Sequence, residues 1–149
     1  MSSSAFLQIQ AALATALTAA VTTTGAAVYV NRTRAMGRDV DMAVLVRLVG
    51  ARDDEGPLGA QDWLTAFDVE SVARAATGTD PAQSVDALLQ AVWSAIRGMS
   101  LPDAIEVAAS PQIRWDFDAV DTPQASATVQ VNVRHRAAPG TLQPWSSTP

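Results

Sequence analysis

The sequence predicts an α+β fold of about five strands and two helices. Three observations predict it. Residues 80–98 carry a complete helix signature, from cap to stop. Residues 62–76 read as a long, half-exposed strand, with clear alternation over Phe67–Val72. Residues 113–136 read as two alternating strands around a turn.

The elements follow in chain order. In "AFLQIQAALATALTAAV", Phe6, Ile9, Leu13, Leu17 and Ala20 fall at helical spacing behind serines 2–4, which are candidate N-caps. No Lys or Arg precedes Arg32, so the basic region of a signal peptide is missing. Gln8, Gln10, Thr15 and Thr18 make the run polar for a membrane span, so it reads as an amphipathic helix packed on the domain. "TTTG" (22–25) ends it. "AAVYVNRT" (26–33) reads as a strand, with Val28 and Val30 on one face and Tyr29 on the other. After a basic connection, "DMAVLVRLVG" (41–50) is apolar on both faces apart from Arg47, which suits a strand covered on both sides.

"ARDDEGPLGAQ" (51–61) reads as an acidic loop. In the next strand Trp63, Thr65, Phe67, Val69 and Ser71 share one face. The second helix has Asp80 as cap, Pro81 at its first position and Gln83 completing a capping-box-like start. Its stripe is Val85, Leu88, Leu89, Val92 and Ile96, and Arg97 and Gly98 close it. "MSLPDAIEVAASPQ" reads as an irregular link with one helical turn at 102–107. In the final hairpin a turn at 122–124 places Phe117 near Val129 and Trp115 near Val131, with Asp118 and Asp116 near Thr128 and Gln130. One domain therefore spans 1–136. Residues 137–149, with three prolines and one glycine, form a tail expected to be extended or disordered.

Composition narrows the function classes. The net charge is -5, and all ten basic residues are arginine, which argues against tight phosphate binding. An arginine-only set suits carboxylate pairing at interfaces, and biased codon usage produces the same pattern. The charged fraction of 17 % is low for a chain whose whole surface meets water. With no cysteine, disulfides, thiolate metal sites and cysteine nucleophiles are excluded.

Few residues suggest chemistry. Asp116, Asp118 and Asp121 are most simply the wet face and turn of a hairpin, since two carboxylates make an incomplete cation site. His135, the only histidine, falls on the valine face at a strand end, where it reads as structural. There is no P-loop and no GxGxxG motif. Trp63, Trp93 and Trp115 read as core or interface. Trp145 lies alone in the proline-rich tail, where a partner pocket is one reading. Two charged connections have paired readings, solvated loop or partner contact: Arg32, Arg34 and Arg38, and Asp53, Asp54 and Glu55. In an antiparallel meander they would lie at opposite ends of the sheet.

Over residues 5–136 the sequence resembles the tail terminator proteins of long-tailed bacteriophages, of the minor tail protein U type. The pieces that carry it are an N-terminal helix, "AVYVNR", "DMAVLVRLVGA", "DWLTAFDVESVARA", "DPAQSVDALLQAVWSAIRG" and "LPDAIEVAASPQIRWDFDAVDTPQASATVQVNVRHR". The resemblance implies a mixed, mainly antiparallel sheet with helices on it. It implies a non-enzymatic virion protein without cofactor or metal, assembled in the host cytoplasm. Such a protein forms a homo-hexameric ring on the head-proximal end of the tail tube, stops tube polymerisation and offers a docking surface to the head–tail connector or head-closure protein. Its expected neighbours are tail tube protein and tape measure protein. DNA passes through the lumen unbound, and no membrane is involved. The alternatives are another neck component, such as a head-closure or tail-completion protein, or a small enzyme or ligand-binding domain using Asp116, Asp118 and His135.

Overall fold

The computed structural model describes residues 3–32, 37, 39–57, 60–76, 78–118 and 123–145, leaving aside the side chain of Glu55. In chain order these form α1 (Ala5–Val21), a 3-10 turn (Thr22–Thr24), β1 (Ala27–Val30), β2 (Met42–Glu55), β3 (Gln61–Arg74), α2 (Pro81–Arg97), β4 (Ala104–Asp118) and β5 (Gln124–Ala137). The five strands make one sheet in the order β1-β2-β3-β5-β4. β1 runs parallel to β2 and every other pairing is antiparallel, so the fold is α+β with a mixed, mainly antiparallel sheet.

Local chemistry explains both helices. The Ser4 hydroxyl accepts from the Leu7 N–H at the start of α1. Thr15, Thr18 and Thr22 turn their hydroxyls back onto carbonyls four residues earlier, which lets polar residues ride on the exposed side. Ile9, Leu13, Leu17 and Val21 form the buried stripe, with Val21 taking the place expected of Ala20. Gln10 is buried too. Its amide exchanges two hydrogen bonds with Asn31 and also donates to the Val46 carbonyl, which ties α1 to the end of β1 and to β2. In α2, the Asp80 carboxylate accepts from the Ala82 N–H, Pro81 opens the helix and Gly98 ends it.

Both helices pack on the same face of the sheet. Leu13, Leu17, Leu88, Val92 and Ile96 meet Val44 and Val46 of β2, Phe67 and Val69 of β3, and Val129, Val131 and Val133 of β5 in one core. By length and apolar composition alone, Ala5–Thr24 could cross a membrane. In this fold its apolar stripe lies inside the core.

Five expectations are corrected. First, the acidic segment is not a loop. β2 continues through Glu55, with Asp53 opposite Trp63, Asp54 opposite Asp62 and Glu55 opposite Gln61. A bulge between Leu48 and Gly50 inserts one residue and reverses which parity faces the helices, so the alternation breaks where the strand does not. Second, β2 is covered fully on one side and only in part on the other: Val44 and Val46 are buried on the helix face, while on the other face Ala43 is buried, Leu45 half-buried, and Arg47 and Val49 exposed.

Third, the irregular link is short. β4 begins at Ala104, and register shifts at Ala104/Glu106 and Ala109/Ile113 hide its periodicity. Pro111 is tolerated because β4 is an edge strand. Fourth, the hairpin is shifted by four residues: Phe117 lies opposite Ala125, Trp115 opposite Ala127, Asp118 opposite Gln124 and Asp116 opposite Ser126. An even shift keeps each face's character, which is why the sequence pattern alone did not exclude it. The expected turn residue 122 and Asp121 lie outside the described residues.

Fifth, the tail is ordered as far as Trp145. Ala138 donates to the Gln143 carbonyl, Trp145 donates to that of Arg136, and Ala5 of α1 donates to that of Leu142. Residues 146–149 lie outside the described residues.

Phe67 sits on the central strand with no exposed surface and is the largest fully buried side chain. Phe67→Ala should cost about 3–5 kcal/mol of the roughly 5–15 kcal/mol that such a domain has. Urea unfolding reads this directly, and a loss below about 1 kcal/mol would show that the core does not centre on β3.

Candidate interaction surfaces

The face of the sheet away from the helices carries the charged residues. At one end of it, antiparallel pairing sets Asp54 of β2 beside Asp62 of β3. Two carboxylates in that position repel unless neutralised. β5 supplies the neutralising charge, because Arg134 lies opposite Leu64 and Arg136 opposite Asp62. Arg136 Nε donates to Asp62 Oδ1 at 2.8 Å, with Nη2 at 3.4 Å from Oδ2. Arg134 bridges the acids as an ion pair, 3.5 Å from Asp62 and 3.5 Å from Asp54.

Asp62 is only 1 % exposed. Gly56 covers it: a Cβ there would stand 3.0 Å from the carboxylate carbon and 3.0 Å from the Ala60 carbonyl oxygen, so a larger residue would have to push these groups aside by a few tenths of an ångström. The Arg136 hydrogen bond holds the Asp62 carboxyl below its ordinary pKa, against the opposing effect of burial, with both arginine charges assisting. Arg136 is correspondingly raised by its bond to Asp62.

His135 occupies the other face of the same end. Its Nε2 lies 2.7 Å from the Thr65 hydroxyl, while Nδ1 is buried without a hydrogen-bond partner among the described residues. Phe6 meets the rings of both His135 and Trp63 edge-on. Burial pushes the His135 pKa below 6.5, more strongly than the Asp62 charge raises it. His135 borders a cavity of about 90 Å³ that also touches Gln8, Asp103 and Arg136, polar enough and roomy enough for water.

The set suggested for an enzyme or ligand site is not assembled. Asp116 lies opposite Ser126, nine residues along β5 from His135. At about 3.3 Å per residue that is roughly 30 Å. Asp116 and Asp118 are exposed, on the face opposite His135. Among the described residues, no group of three or more His, Asp or Glu is placed to hold a metal ion.

The charged connections also differ from expectation. Parallel pairing of β1 and β2 places the start of the basic connection beside mid-β2, where Asn31 donates to the Val46 carbonyl and accepts from the Leu48 N–H, rather than at an end of the sheet. Arg32 stacks 4.3 Å from the centre of the Tyr29 ring. Arg34 and Arg38 lie outside the described residues. Asp53 is exposed and Asp54 faces Arg134. Glu55 is placed only by its backbone, opposite Gln61. Trp145 has its ring 5.9 Å from the Arg136 guanidinium and joins the rim of the fold, although still 41 % exposed.

Sequence reasoning missed the Asp54–Arg134–Asp62–Arg136 group. Its members are up to 82 residues apart (136 − 54), and only the register of β2, β3 and β5 brings them together. It also assigned Trp115 and Phe117 to the valine face without showing that they lie beyond the helices' cover. Ala127 and Ala125, their partners on β5, are fully buried, yet Trp115 is 49 % and Phe117 56 % exposed.

No protein-family model matches the chain, and no curated protein matches it. Among solved structures, the chain is similar to the sheath/tube terminator of an extracellular contractile injection system, PVC, in its extended state. The identity is 11 % and the TM-score 0.45; all of this chain is covered, and it spans 63 % of that protein's length. A likeness this loose carries no argument about function.

The ion-pair group makes stability depend on acid pH. With its folded pKa lowered, Asp62 contributes stability that is complete above its unfolded value, near 3.8, and is lost as pH falls through the folded pKa. Asp62→Asn should therefore melt below the parent at pH 7, and the gap should close below pH 3.8. Thermal melts across pH check this, and a gap that persists unchanged into acid would assign the loss to packing.

His135 acts in a higher window. It is held neutral in the fold, so from pH 6.5 downward the unfolded chain takes up a proton that the folded chain does not, and stability falls. His135→Gln should flatten the stability profile between pH 6.5 and the folded pKa, as read by urea unfolding. An unchanged slope would remove His135 from the account.

Proposed function

We propose that this chain is a structural virion protein that caps the head-proximal end of a phage tail tube as a hexameric ring. In this role it ends tube polymerisation and provides the surface to which the head connector docks. No reaction is catalysed, and DNA passes through the ring without specific binding.

The observation that carries this reading is the sequence resemblance over residues 5–136, together with an element order, α1-β1-β2-β3-α2-β4-β5, that follows the order of its pieces. Two further features favour an assembling subunit. The charged fraction is 17 %, low for a chain whose surface is all wet. Large apolar side chains, Trp115, Phe117 and Val30, stand half exposed on the two outer strands. The acidic net charge of -5 is compatible with a lumen through which DNA must move.

Deletion of the gene in a phage that encodes this chain should leave full heads unjoined to tails, with tubes of abnormal length in electron micrographs. Normal-length tails joined to full heads would refute the proposal. Normal-length tails beside unattached heads would transfer the chain to another neck component.

A further inference from the structure

We propose that copies of this chain join edge to edge, with β4 of one subunit lying antiparallel beside β1 of the next, so that the sheet continues from subunit to subunit around a closed ring. This rests on the ring reading above and identifies the surface that would build it.

The sheet has two open edges, β1 and β4, with no further strand beside either among the described residues. An open edge carries a row of unpaired backbone groups that invites another strand. The first half of β4 is guarded by two irregularities and Pro111, whereas Ile113–Asp118 is regular strand. That regular half is where Trp115 and Phe117 stand 49 % and 56 % exposed.

The directions fit. β1 is parallel to β2, and three antiparallel steps lead from β2 through β3 and β5 to β4. β4 therefore runs opposite to β1, and two subunits with the same orientation would present antiparallel edges to each other. Such a head-to-tail contact uses two different surfaces and generates a ring when the rotation closes.

The levels and faces fit as well. Following the register across the sheet, Trp115 lies in line with Ala127, Ser71, Val44 and Val28, all on the helix-covered face. Ile113 lies in line with Val129, Val69, Val46 and Val30. The two free edges are thus apolar on the same face and at the same height. Closing strands into a ring requires a stagger, and a stagger of two residues preserves the faces. It sets Trp115 beside the neighbour's Val30, which is itself 48 % exposed, and Phe117 beside Val28.

Charge suits this partner. On the other face the stagger brings Asp116 beside the neighbour's Tyr29, over which Arg32 is stacked. Ile113–Asp118 holds two acids and one base, while Ala27–Arg32 holds one base and no acid. A second copy of the chain therefore offers an acidic edge a basic one, with apolar side chains matched behind it.

Engineered cysteines test the contact, since the natural chain has none. Within one subunit, residues 30 and 115 are four strand spacings apart, about 19 Å, whereas a disulfide requires Cα atoms within about 7 Å. Every bond between them is therefore between subunits. The double variant Val30→Cys, Trp115→Cys, both at half-exposed sites, is oxidised and run on non-reducing gels beside native mass spectrometry of the uncysteinated chain. The expected result is a ladder of multiples ending in a closed species, with each single-cysteine variant giving no ladder. Asp116→Arg should shift the wild-type oligomer toward monomer at least tenfold at low salt, and adding Arg32→Asp should restore it.

An oligomer that gives no ladder overturns this interface while leaving the ring reading standing. A dimer from Trp115→Cys alone shows β4 pairing with β4 and also overturns it. A chain that stays monomeric and unlinked overturns it too, and the gene-deletion phenotype then decides the functional reading separately.

Discussion

The fold depends on one constraint: both helices lie on the same face of the sheet, and their cover stops short of the far end of β4. Leu13 and Leu17 from α1, with Leu88, Val92 and Ile96 from α2, bury β2, β3 and β5. Burial of this kind is worth about 25 cal/mol per Å² of apolar surface, so the central strands supply most of what holds the chain together. α1 also packs on β1 and α2 on β4, but the Trp115–Phe117 end of β4 extends past that cover. Phe117 is half exposed although its neighbour Ala125, on the same face, is fully buried. A five-stranded sheet under two helices is therefore a folded unit with unfinished edges.

The polar features serve the same frame. The bulge after Leu48 lets β2 run on to Glu55, which lengthens the β2–β3 hairpin beyond the core. On that extension the Asp62 group ties the strands together, with Arg134 and Arg136 of β5 drawn to the acids of β2 and β3. On the reverse side, Phe6 caps the Trp63–His135 pair, and the Leu142 carbonyl accepts from the first helical N–H of α1. The folded-back tail thereby closes the end of the molecule at which β5 finishes.

Legibility in the sequence followed the range of the signal. α2 could be read residue by residue, because Asp80, Pro81, the Val85–Ile96 stripe and Gly98 each act within a few positions. The buried face of β3 was equally plain, since Thr65, Phe67, Val69 and Ser71 alternate without interruption. The second half of β2 was hidden because a single inserted residue reverses the parity on which strand recognition relies, and the first half of β4 because two register shifts and Pro111 interrupt its alternation. The hairpin register was off by an even number, an error that alternation cannot detect. The Asp62 group, formed across three strands, has no local signature. Arg32, Asp53 and Asp54 could be named as charged candidates from sequence, but that Arg32 stacks on Tyr29 while Asp54 faces Arg134 follows only from the packing.

The central claim is that the two unpaired edges of the sheet are the surfaces on which subunits meet. Hydrogen exchange of the purified chain, measured by mass spectrometry at low and high protein concentration, tests it most directly. β3 and β5, hydrogen-bonded on both sides, should be protected equally at both concentrations. Peptides covering Ile113–Asp118 and Ala27–Val30 should exchange quickly when dilute and become protected together when concentrated. Protection that appears elsewhere on the assembled protein, with both edges still exchanging freely, would contradict the account.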